Sequence, residues 1–251
     1  VVKDGFGFGS DFRVYERGHF GEKGAKFLIF GLNEGQQEKM SVLQKKIDEI
    51  IIVTGPNSDK FNFEDVTYVE DKNYGENEVL GSLMATKNLM NTEIIMTYSD
   101  ILFDKAILDQ VLNFQDNIGV ATEMNWLPTY QNRSQHPLSQ ADNVLIKNGK
   151  ITEIRKNMAK YLKNENLGEF FGIMHLSSAG AKNFVKVYDR LVKSHTGPFH
   201  DAPSLKKAYL TDMLQELIDL NFDVKPILCE GVWCEMDTTE DLETARKKFR
   251  S

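Results

Sequence analysis

The sequence has little of the residue types that mark several specialised protein classes. Two cysteines, Cys229 and Cys234, occur among 251 residues, which is too few for a disulfide framework or for the paired CxxC motifs of a structural zinc site. We therefore expect a reducing, cytoplasmic environment. No apolar run approaches the length of a membrane span, and Lys3 and Asp4 stand where a signal peptide would be apolar. These features predict a soluble protein with no membrane partner.

The charge balance is mildly acidic and has no basic concentration. Asp and Glu number 37 against 30 Lys and Arg, a net charge of −7. The chain contains no dense Lys/Arg block and no RNA- or DNA-binding motif, so nucleic acid is not an expected partner. A hydrophobic content of 41% with 27% charged residues is ordinary for a globular protein. A small charged metabolite remains compatible with this composition.

The first half of the sequence alternates two kinds of hydrophobic pattern. Short β-branched runs predict strands buried on both faces, and apolar residues at helical spacing predict helices between them. Such alternation indicates a mostly parallel sheet covered by helices. The predicted strands are residues 48–55, 66–69, 93–98 and 118–122, and the predicted helices are residues 38–46, 80–90 and 104–113.

The second half begins with a different signal. Residues 143–146 and 151–154 flank Asn148-Gly149, the dipeptide that most favours a type I′ hairpin. Two helices at residues 178–192 and 205–220, a strand at 224–228 and a final helix follow, the last with Thr238 as N-cap and Asp241 three residues on.

No linker, repeat or low-complexity tract separates the two halves. We therefore predict a single domain over residues 1–251. Its expected fold is Rossmann-like α/β, with a mixed, mostly parallel sheet flanked by helices and an inserted antiparallel hairpin.

Three carboxylates stand at positions suited to a metal ion. Asp100 follows a predicted strand, and ligands of such sheets bind beyond the carboxyl ends of the strands. Glu235 and Asp237 are two residues apart, so on an extended segment they share a face. Hard oxygen ligands of this kind suit Mg²⁺. The alternative is that Asp100 and Asp237 merely cap helices, and spacing alone leaves both interpretations open.

Two motifs resemble those of the nucleoside-triphosphate transferase family, the GT-A-like nucleotidyltransferases. Residues 96–103, Met-Thr-Tyr-Ser-Asp-Ile-Leu-Phe, resemble its metal-binding strand end, and residues 231–242 resemble its closing motif. Residues 136–139, 168–172 and 202–212 resemble the cytidylyltransferase branch, which includes phosphocholine and phosphonate-associated enzymes. The resemblance covers the chain from residue 37 onward and, more loosely, its start.

The resemblance implies roles for individual residues of this chain. Asp100 and Asp237 would hold the catalytic Mg²⁺. Residues 1–115 would form mainly the nucleotide-binding half and residues 116–251 mainly the acceptor-binding half. The other implied contacts are Gly81 and Ser82 for the nucleoside, and Lys156 and Glu169 for the acceptor. The alternatives are an ordinary helix start for the first two residues and a solvated hairpin lysine for Lys156.

The glycine-rich start resembles the family's triphosphate loop only in part. Asp11 stands at the usual arginine position, where a negative charge would oppose a polyphosphate unless Arg13 or Arg17 compensates. Lys26 matches the catalytic loop lysine that meets charge developing on the phosphates, with Lys23 as second choice. The residues that match the loop are Gly7, Gly9 and Ser10. A flexible hairpin without any phosphate role is the alternative.

The implied reaction is in-line attack of an acceptor oxygen on the α-phosphorus of CTP, with release of pyrophosphate. The resemblance ranks phosphonates and phosphorylated amino acids above phosphocholine or a sugar phosphate as acceptors, and it allows a homodimer. Arg133, Arg155 and Lys156 would suit such an anion, whereas aromatic residues such as Trp126 and Tyr130 would instead suit choline.

Two other kinds of protein remain as alternatives. A glycosyltransferase of related architecture would usually carry an Asp-x-Asp pair at this strand end, and Ser99 beside Asp100 does not provide one. A catalytically impaired nucleotide-binding relative is compatible with the atypical start of the chain.

Overall fold

The computed structural model describes residues 25–30, 47–56, 63–131, 133, 137–236 and 238–249, with the backbone alone for residues 25–30. Within these residues, nine strands form one sheet and two further strands form a small ribbon. No helix of the described part is long and apolar enough to cross a membrane. The strands are β1 (Ala25–Phe30), β2 (Glu49–Thr54), β3 (Val66–Glu70), β4 (Glu93–Tyr98), β5 (Ile101–Phe103), β6 (Ile118–Glu123), β7 (Asp142–Lys147), β8 (Lys150–Lys156), β9 (Leu167–Leu176), β10 (Val224–Leu228) and β11 (Trp233–Glu235).

The helices lie between these strands, as the alternating pattern predicts. They are α1 (Val79–Met84), α2 (Lys105–Leu112), α3 (Ser178–Ser194), α4 (Leu210–Asp219) and α5 (Thr239–Lys248).

The main sheet is mixed but mostly parallel. Its strands follow the order β10-β6-β9-β4-β1-β2-β3, and the β7–β8 hairpin attaches to β9. Strands β3, β2, β1 and β4 run parallel, while β9 is antiparallel to both β4 and β6. The carboxyl ends of β2, β3, β4 and β6 therefore meet at one edge, which also holds the start of β9. The predicted fold class is confirmed.

Strand β4 shows why the central strands appear in the sequence as continuous apolar runs. Ile94 and Met96 belong to one hydrophobic core together with Phe184 of α3. Ile95 belongs to a second core on the opposite face, together with Ile107 of α2. Because alternate residues point to opposite faces, helices on both sides bury every position. Each such side chain contributes about 1.5–3 kcal/mol by leaving water.

Several predicted local structures are confirmed. Asp104 caps α2, its Oδ1 accepting from the backbone N–H of Ile107 at 3.1 Å. The Asn148-Gly149 turn joins β7 to β8 with φ of 52° and 73°, as a type I′ turn requires. At the start of α5, Thr238 Oγ1 accepts from the Asp241 N–H at 3.2 Å, and Asp241 Oδ2 accepts from the Thr238 N–H at 3.0 Å. Caps of this kind contribute about 1 kcal/mol.

Two predicted helices are shorter in the structure. The helix expected over residues 80–90 ends at Met84, and a 3₁₀ turn follows at Lys87–Leu89. The helix expected over 205–220 is broken at Ala208, whose carbonyl accepts from the N–H of Leu80 and so is unavailable within a helix. Strands β1, β5, β9 and β11 were not predicted. The helix expected over residues 38–46 lies outside the described residues.

Candidate active site

The two family-like motifs come together through the small β5–β11 ribbon. Its antiparallel register pairs Glu235 with Ile101 and Trp233 with Phe103. Beyond the ribbon, the backbone N–H of Met236 donates to the carbonyl of Asp100 at 2.9 Å. The closing segment therefore lies directly against the strand end that carries Asp100. Asp237, the second predicted metal ligand, lies outside the described residues.

Several carboxylates converge on this end of β4. The pKa of Tyr98 is raised well above its ordinary value by burial of the hydroxyl, and further by Asp142, Asp100 and Glu235. Among the described residues, no group of three His, Cys, Asp or Glu side chains is arranged to hold a metal ion. Mg²⁺ commonly uses only one or two protein carboxylates and takes its other ligands from substrate phosphates and water. Asp100, a carboxylate at the sheet edge, fits that chemistry.

Glu169 lies at the same edge, near the start of β9. It is opposite Glu123 of β6 and Asn143 of β7, and its side chain is buried. The hydroxyl of Tyr130 donates to its Oε1, while its Oε2 has no hydrogen-bond partner in the described part of the chain.

The surroundings of Glu169 disfavour its charged form. The pKa of Glu169 is raised to about 8, chiefly by burial and also by the charges of Glu235 and Asp142. The hydrogen bond from Tyr130 and the charge of Arg133 act in the opposite direction. At neutral pH the carboxyl group is therefore protonated, and a cationic hydrogen-bond donor beside its Oε2 would favour the ionised form.

Arg133, which the sequence suggested as a contact of an anionic acceptor, has partners within the protein. Its Nε donates to Asp241 Oδ1 at 2.8 Å, and its Nη2 lies 3.3 Å from Glu235 Oε2. The guanidinium also lies over the ring of Tyr130, 5.4 Å from the centroid. Arg155, the second arginine expected to contact an anion, is paired with Asp201. Both arginines are thus engaged by carboxylates of the protein itself.

Lys156 and Glu169 are near one another in the sheet but have different surroundings. Lys156 is opposite Asp142, and the next residue, Asn143, is opposite Glu169. Successive residues of a strand point to opposite faces, so the two predicted acceptor contacts lie on different faces of the hairpin. Lys156 Nζ lies 4.7 Å from the centroid of the Tyr209 ring. A shared role in binding one acceptor stays a prediction.

Gly81 and Ser82 have structural partners at the end of β3. Ser82 Oγ donates to the buried carboxylate of Asp71 at 2.8 Å, and Asn77 Nδ2 donates to the same group at 3.0 Å. A Cβ on Gly81 would lie 2.5 Å from Asn77 Cγ, so the position admits only glycine unless Asn77 moves. Asp71, which organises this corner, was missed because no motif marks it. A nucleoside contact at Gly81 and Ser82 stays a prediction.

Lys26 lies in a strand and not in the loop that the resemblance implied, and its catalytic role stays a prediction. Lys26 is the second residue of β1, in register with Glu49 of β2 and Ile94 of β4. Strand β4 continues from Ile94 to Tyr98 before the turn that carries Asp100. A rise of about 3.3 Å per residue separates Ile94 from the end of the strand by roughly 13 Å. Lys26 therefore stands near the amino edge of the sheet. The predicted loop residues Gly7, Gly9 and Ser10 lie outside the described residues.

Solved structures with the same architecture are nucleotidyltransferases. The chain superposes on the inositol-1-phosphate CTP transferase of T. maritima with a TM-score of 0.61, at 13% identity, covering 88% of this chain and 93% of that one. A UDP-glucose pyrophosphorylase complexed with UDP-glucose superposes with a TM-score of 0.63 at 13% identity, covering 90% of this chain and 98% of that one. A putative glucose-1-phosphate thymidylyltransferase from Bacillus anthracis superposes with a TM-score of 0.60 at 15% identity, covering 89% of this chain and 94% of that one.

A second comparison concerns the start of the chain. The family model of the tRNA intron endonuclease catalytic C-terminal domain matches residues 1–53. Neither the charge nor the motifs of the sequence indicated this match. The match includes Gly7, Gly9, Ser10 and Lys26. It therefore offers an alternative to the interpretation of these residues as a triphosphate loop.

Over most of its length the chain also has a relative in sequence. It is 23% identical over 215 residues to the CTP:phosphoglutamine cytidylyltransferase of Campylobacter jejuni subsp. jejuni, covering 80% of this chain and 82% of the relative. The family resemblance predicted from the motifs is thereby confirmed: the chain is similar in sequence to a cytidylyltransferase and has the nucleotidyltransferase fold of the nucleotide-sugar transferase type.

Proposed function

We propose that the chain transfers CMP from CTP to a small acceptor bearing a phosphate or phosphonate group and releases pyrophosphate, with Mg²⁺ as cofactor. The observation that carries the proposal is the contact between the two motif segments, where Met236 donates to the carbonyl of Asp100 at the carboxyl edge of the sheet. Ligands of open α/β sheets bind beyond this edge. The sequence relative is named for the same nucleotide chemistry.

The chemistry requires alignment of two anions rather than a strong base. An acceptor phosphate is already ionised at neutral pH, so the protein has to hold its oxygen in line with the α-phosphorus. Mg²⁺, when bound, supplies positive charge to the phosphates. In this proposal Asp100 and Asp237 would hold the ion, and Glu169 would face the acceptor.

The acceptor that we favour carries an N–H group besides its phosphorus group. Glu169 is buried with its Oε2 lacking a hydrogen-bond partner among the described residues. Buried polar atoms are normally satisfied, and an ammonium group of the acceptor would favour the ionised carboxylate and donate to this oxygen. A phosphorylated amino acid, its amide or an aminophosphonate offers such a donor. The quaternary nitrogen of phosphocholine does not.

A screen of acceptors tests the proposal directly. Pyrophosphate release would be measured with CTP and Mg²⁺ in the presence of phosphoglutamine, 2-aminoethylphosphonate, phosphocholine and a sugar phosphate. We expect turnover with the first or second compound, and formation of the matching CMP conjugate by mass spectrometry. Turnover with a sugar phosphate alone would contradict the acceptor assignment. Absence of CTP binding would contradict the whole proposal.

A nucleotide-binding relative without turnover is the second candidate. It is favoured by one observation, the position of Lys26 near the amino edge of the sheet, remote from Asp100. Calorimetry together with the pyrophosphate assay separates the two candidates. This second candidate binds CTP and Mg²⁺ but releases no pyrophosphate with any acceptor.

A further inference from the structure

Arg133 forms the centre of a largely buried charge network. Its side chain is only 13% exposed and bonds to Asp241, whose side chain is 3% exposed, and to Glu235. Its guanidinium also covers the face of Tyr130. A buried cation with two carboxylates and an aromatic face is held in one orientation, because the planar fork of arginine fits all three partners at once.

The network joins segments that are far apart in sequence. Tyr130 belongs to the connection between β6 and β7, and its hydroxyl bonds to Glu169 of β9. Glu235 ends β11, and Asp241 bonds to Thr238 at the start of α5. Arg133 thus contacts the acceptor side through Tyr130 and the closing segment through the two carboxylates.

The closing segment is the part that meets the predicted metal site. Glu235 pairs with Ile101, and the following residue, Met236, donates to the carbonyl of Asp100. In sequence, the contacts of Arg133 fall before position 237, at Glu235, and after it, at Asp241. Its charge also lowers the pKa of Glu169, against the effect of burial.

We propose that Arg133 is a positioning residue that couples the acceptor contacts of Tyr130 and Glu169 to the metal-binding closing segment. The inference deepens the proposed function and depends on it. In this proposal Arg133 acts through these protein partners and not by contacting substrate or metal. Its guanidinium fixes the relative position of the two groups of contacts, which an in-line transfer requires.

The test compares Arg133→Lys and Arg133→Gln with the parent protein. Arg190→Lys serves as control, because Arg190 pairs with Glu216 at 3.2 Å on the helical surface, with its side chain 54% exposed. Mn²⁺ binding in the presence of CTP and without acceptor would be followed by electron paramagnetic resonance. The temperature of half-unfolding, kcat and the KM for CTP would be measured alongside, well below that temperature.

We expect both Arg133 variants to lose about 10- to 100-fold in Mn²⁺ affinity and in kcat, as is typical when the support of a metal ligand is removed. The KM for CTP should change less than kcat, and the control should match the parent. Lysine keeps the charge but lacks the fork, so full activity of Arg133→Lys would overturn the inference. Parent-like Mn²⁺ binding by folded Arg133→Gln would overturn it as well.

Failure of the proposed function gives a different result. If the parent itself bound no Mn²⁺ with CTP, the proposed function would fall before any variant was compared. If the parent bound Mn²⁺ and CTP and the Arg133 variants bound them equally well, only the inference about Arg133 would be refuted.

Discussion

The backbone N–H of Met236 donates a hydrogen bond to the carbonyl oxygen of Asp100, with the two atoms 2.9 Å apart. This bond extends the antiparallel pairing of Glu235 with Ile101 by one step. A segment far away in sequence, around Met236, thereby holds the strand end that carries Asp100. A carboxylate presented by such a supported backbone is fixed in position before any ligand arrives.

Replacing Asp100 with alanine should abolish turnover and leave the fold intact. The backbone bond to Met236 survives the change, whereas the carboxylate proposed to hold Mg²⁺ is lost. We expect kcat to fall by at least about 100-fold, measured as pyrophosphate release at saturating Mg²⁺. Asp237→Ala should behave in the same way.

A matched control for these variants is Asp116→Ala. Asp116 is an exposed partner of Lys225, at 2.8 Å, and belongs to no part of the proposed site. It should retain the parental rate. Near-native turnover of Asp100→Ala would instead refute the metal assignment.

The elements that the sequence predicts well are those with a local signature. The capping box of Thr238 and Asp241, the Asn148-Gly149 turn and the apolar run of β4 each need only a few neighbouring residues to be recognised. The motif around Asp100 is likewise contiguous. Such features carry their physical cause within one short stretch of chain.

The features that escaped prediction depend on distant partners. All ten residues of β9 are buried, so the strand shows no alternation of polar and apolar residues, and its antiparallel pairing with β4 has no local signal. The contacts of Arg133 bridge 102 and 108 positions in sequence. A lone arginine in a loop gives no indication of two such carboxylate partners.

The stability of the protein should depend on pH through Glu169. Its pKa is about 8 in the folded protein against an ordinary 4.5, so between these values only the folded state keeps the proton. The free energy of unfolding should therefore fall as pH rises through this window, by up to about 1.4 kcal/mol per pH unit. Below pH 4.5 this contribution is fully present.

Glu169→Gln isolates this effect, because the amide is neutral at every pH and its oxygen still accepts from Tyr130. Urea unfolding at pH 5, 6.5 and 8 should show the variant gaining stability relative to the parent as pH rises. The exposed Glu165→Gln serves as control. Parallel curves for Glu169→Gln and the parent would contradict the assignment.

Gly172 should be intolerant of a side chain because of Tyr98. Its φ is +84°, and a Cβ there would lie 2.6 Å from Tyr98 Cδ2. The left-handed backbone costs alanine about 1–2 kcal/mol, and the overlap with a packed ring adds about 1–3 kcal/mol. Gly149 has a similar φ of +73°, but a Cβ there meets no described atom within 4 Å.

Comparison of Gly172→Ala with Gly149→Ala by thermal unfolding separates the two contributions. Both variants should lose stability, and Gly172→Ala should lose more. Because Tyr98 is two residues from Asp100, Gly172→Ala should also lower turnover, whereas Gly149→Ala should not. Equal losses of stability would show that the ring of Tyr98 moves aside with no loss of folding free energy.

Among nucleotides, CTP should be the preferred substrate. The sequence relative is a CTP-dependent enzyme by its name, and the motifs of this chain resemble the cytidylyltransferase branch. We expect kcat/KM for CTP to exceed the values for ATP and GTP by at least about 10-fold, in the range that a single pocket provides. Equal pyrophosphate release with ATP would leave only a general nucleotidyltransferase.

Lys26→Ala tests the role assigned to the start of the chain. As the family's catalytic lysine, Lys26 would meet charge developing on the phosphates, and its loss would lower kcat strongly. Its register with Ile94, near the start of β4, instead places it roughly 13 Å along the sheet from Tyr98, the strand end that precedes Asp100. We therefore expect Lys26→Ala to turn over CTP at the parental rate, with Asp100→Ala as the inactive reference. A loss of kcat with unchanged stability would restore Lys26 to the active site and would contradict the β1 register.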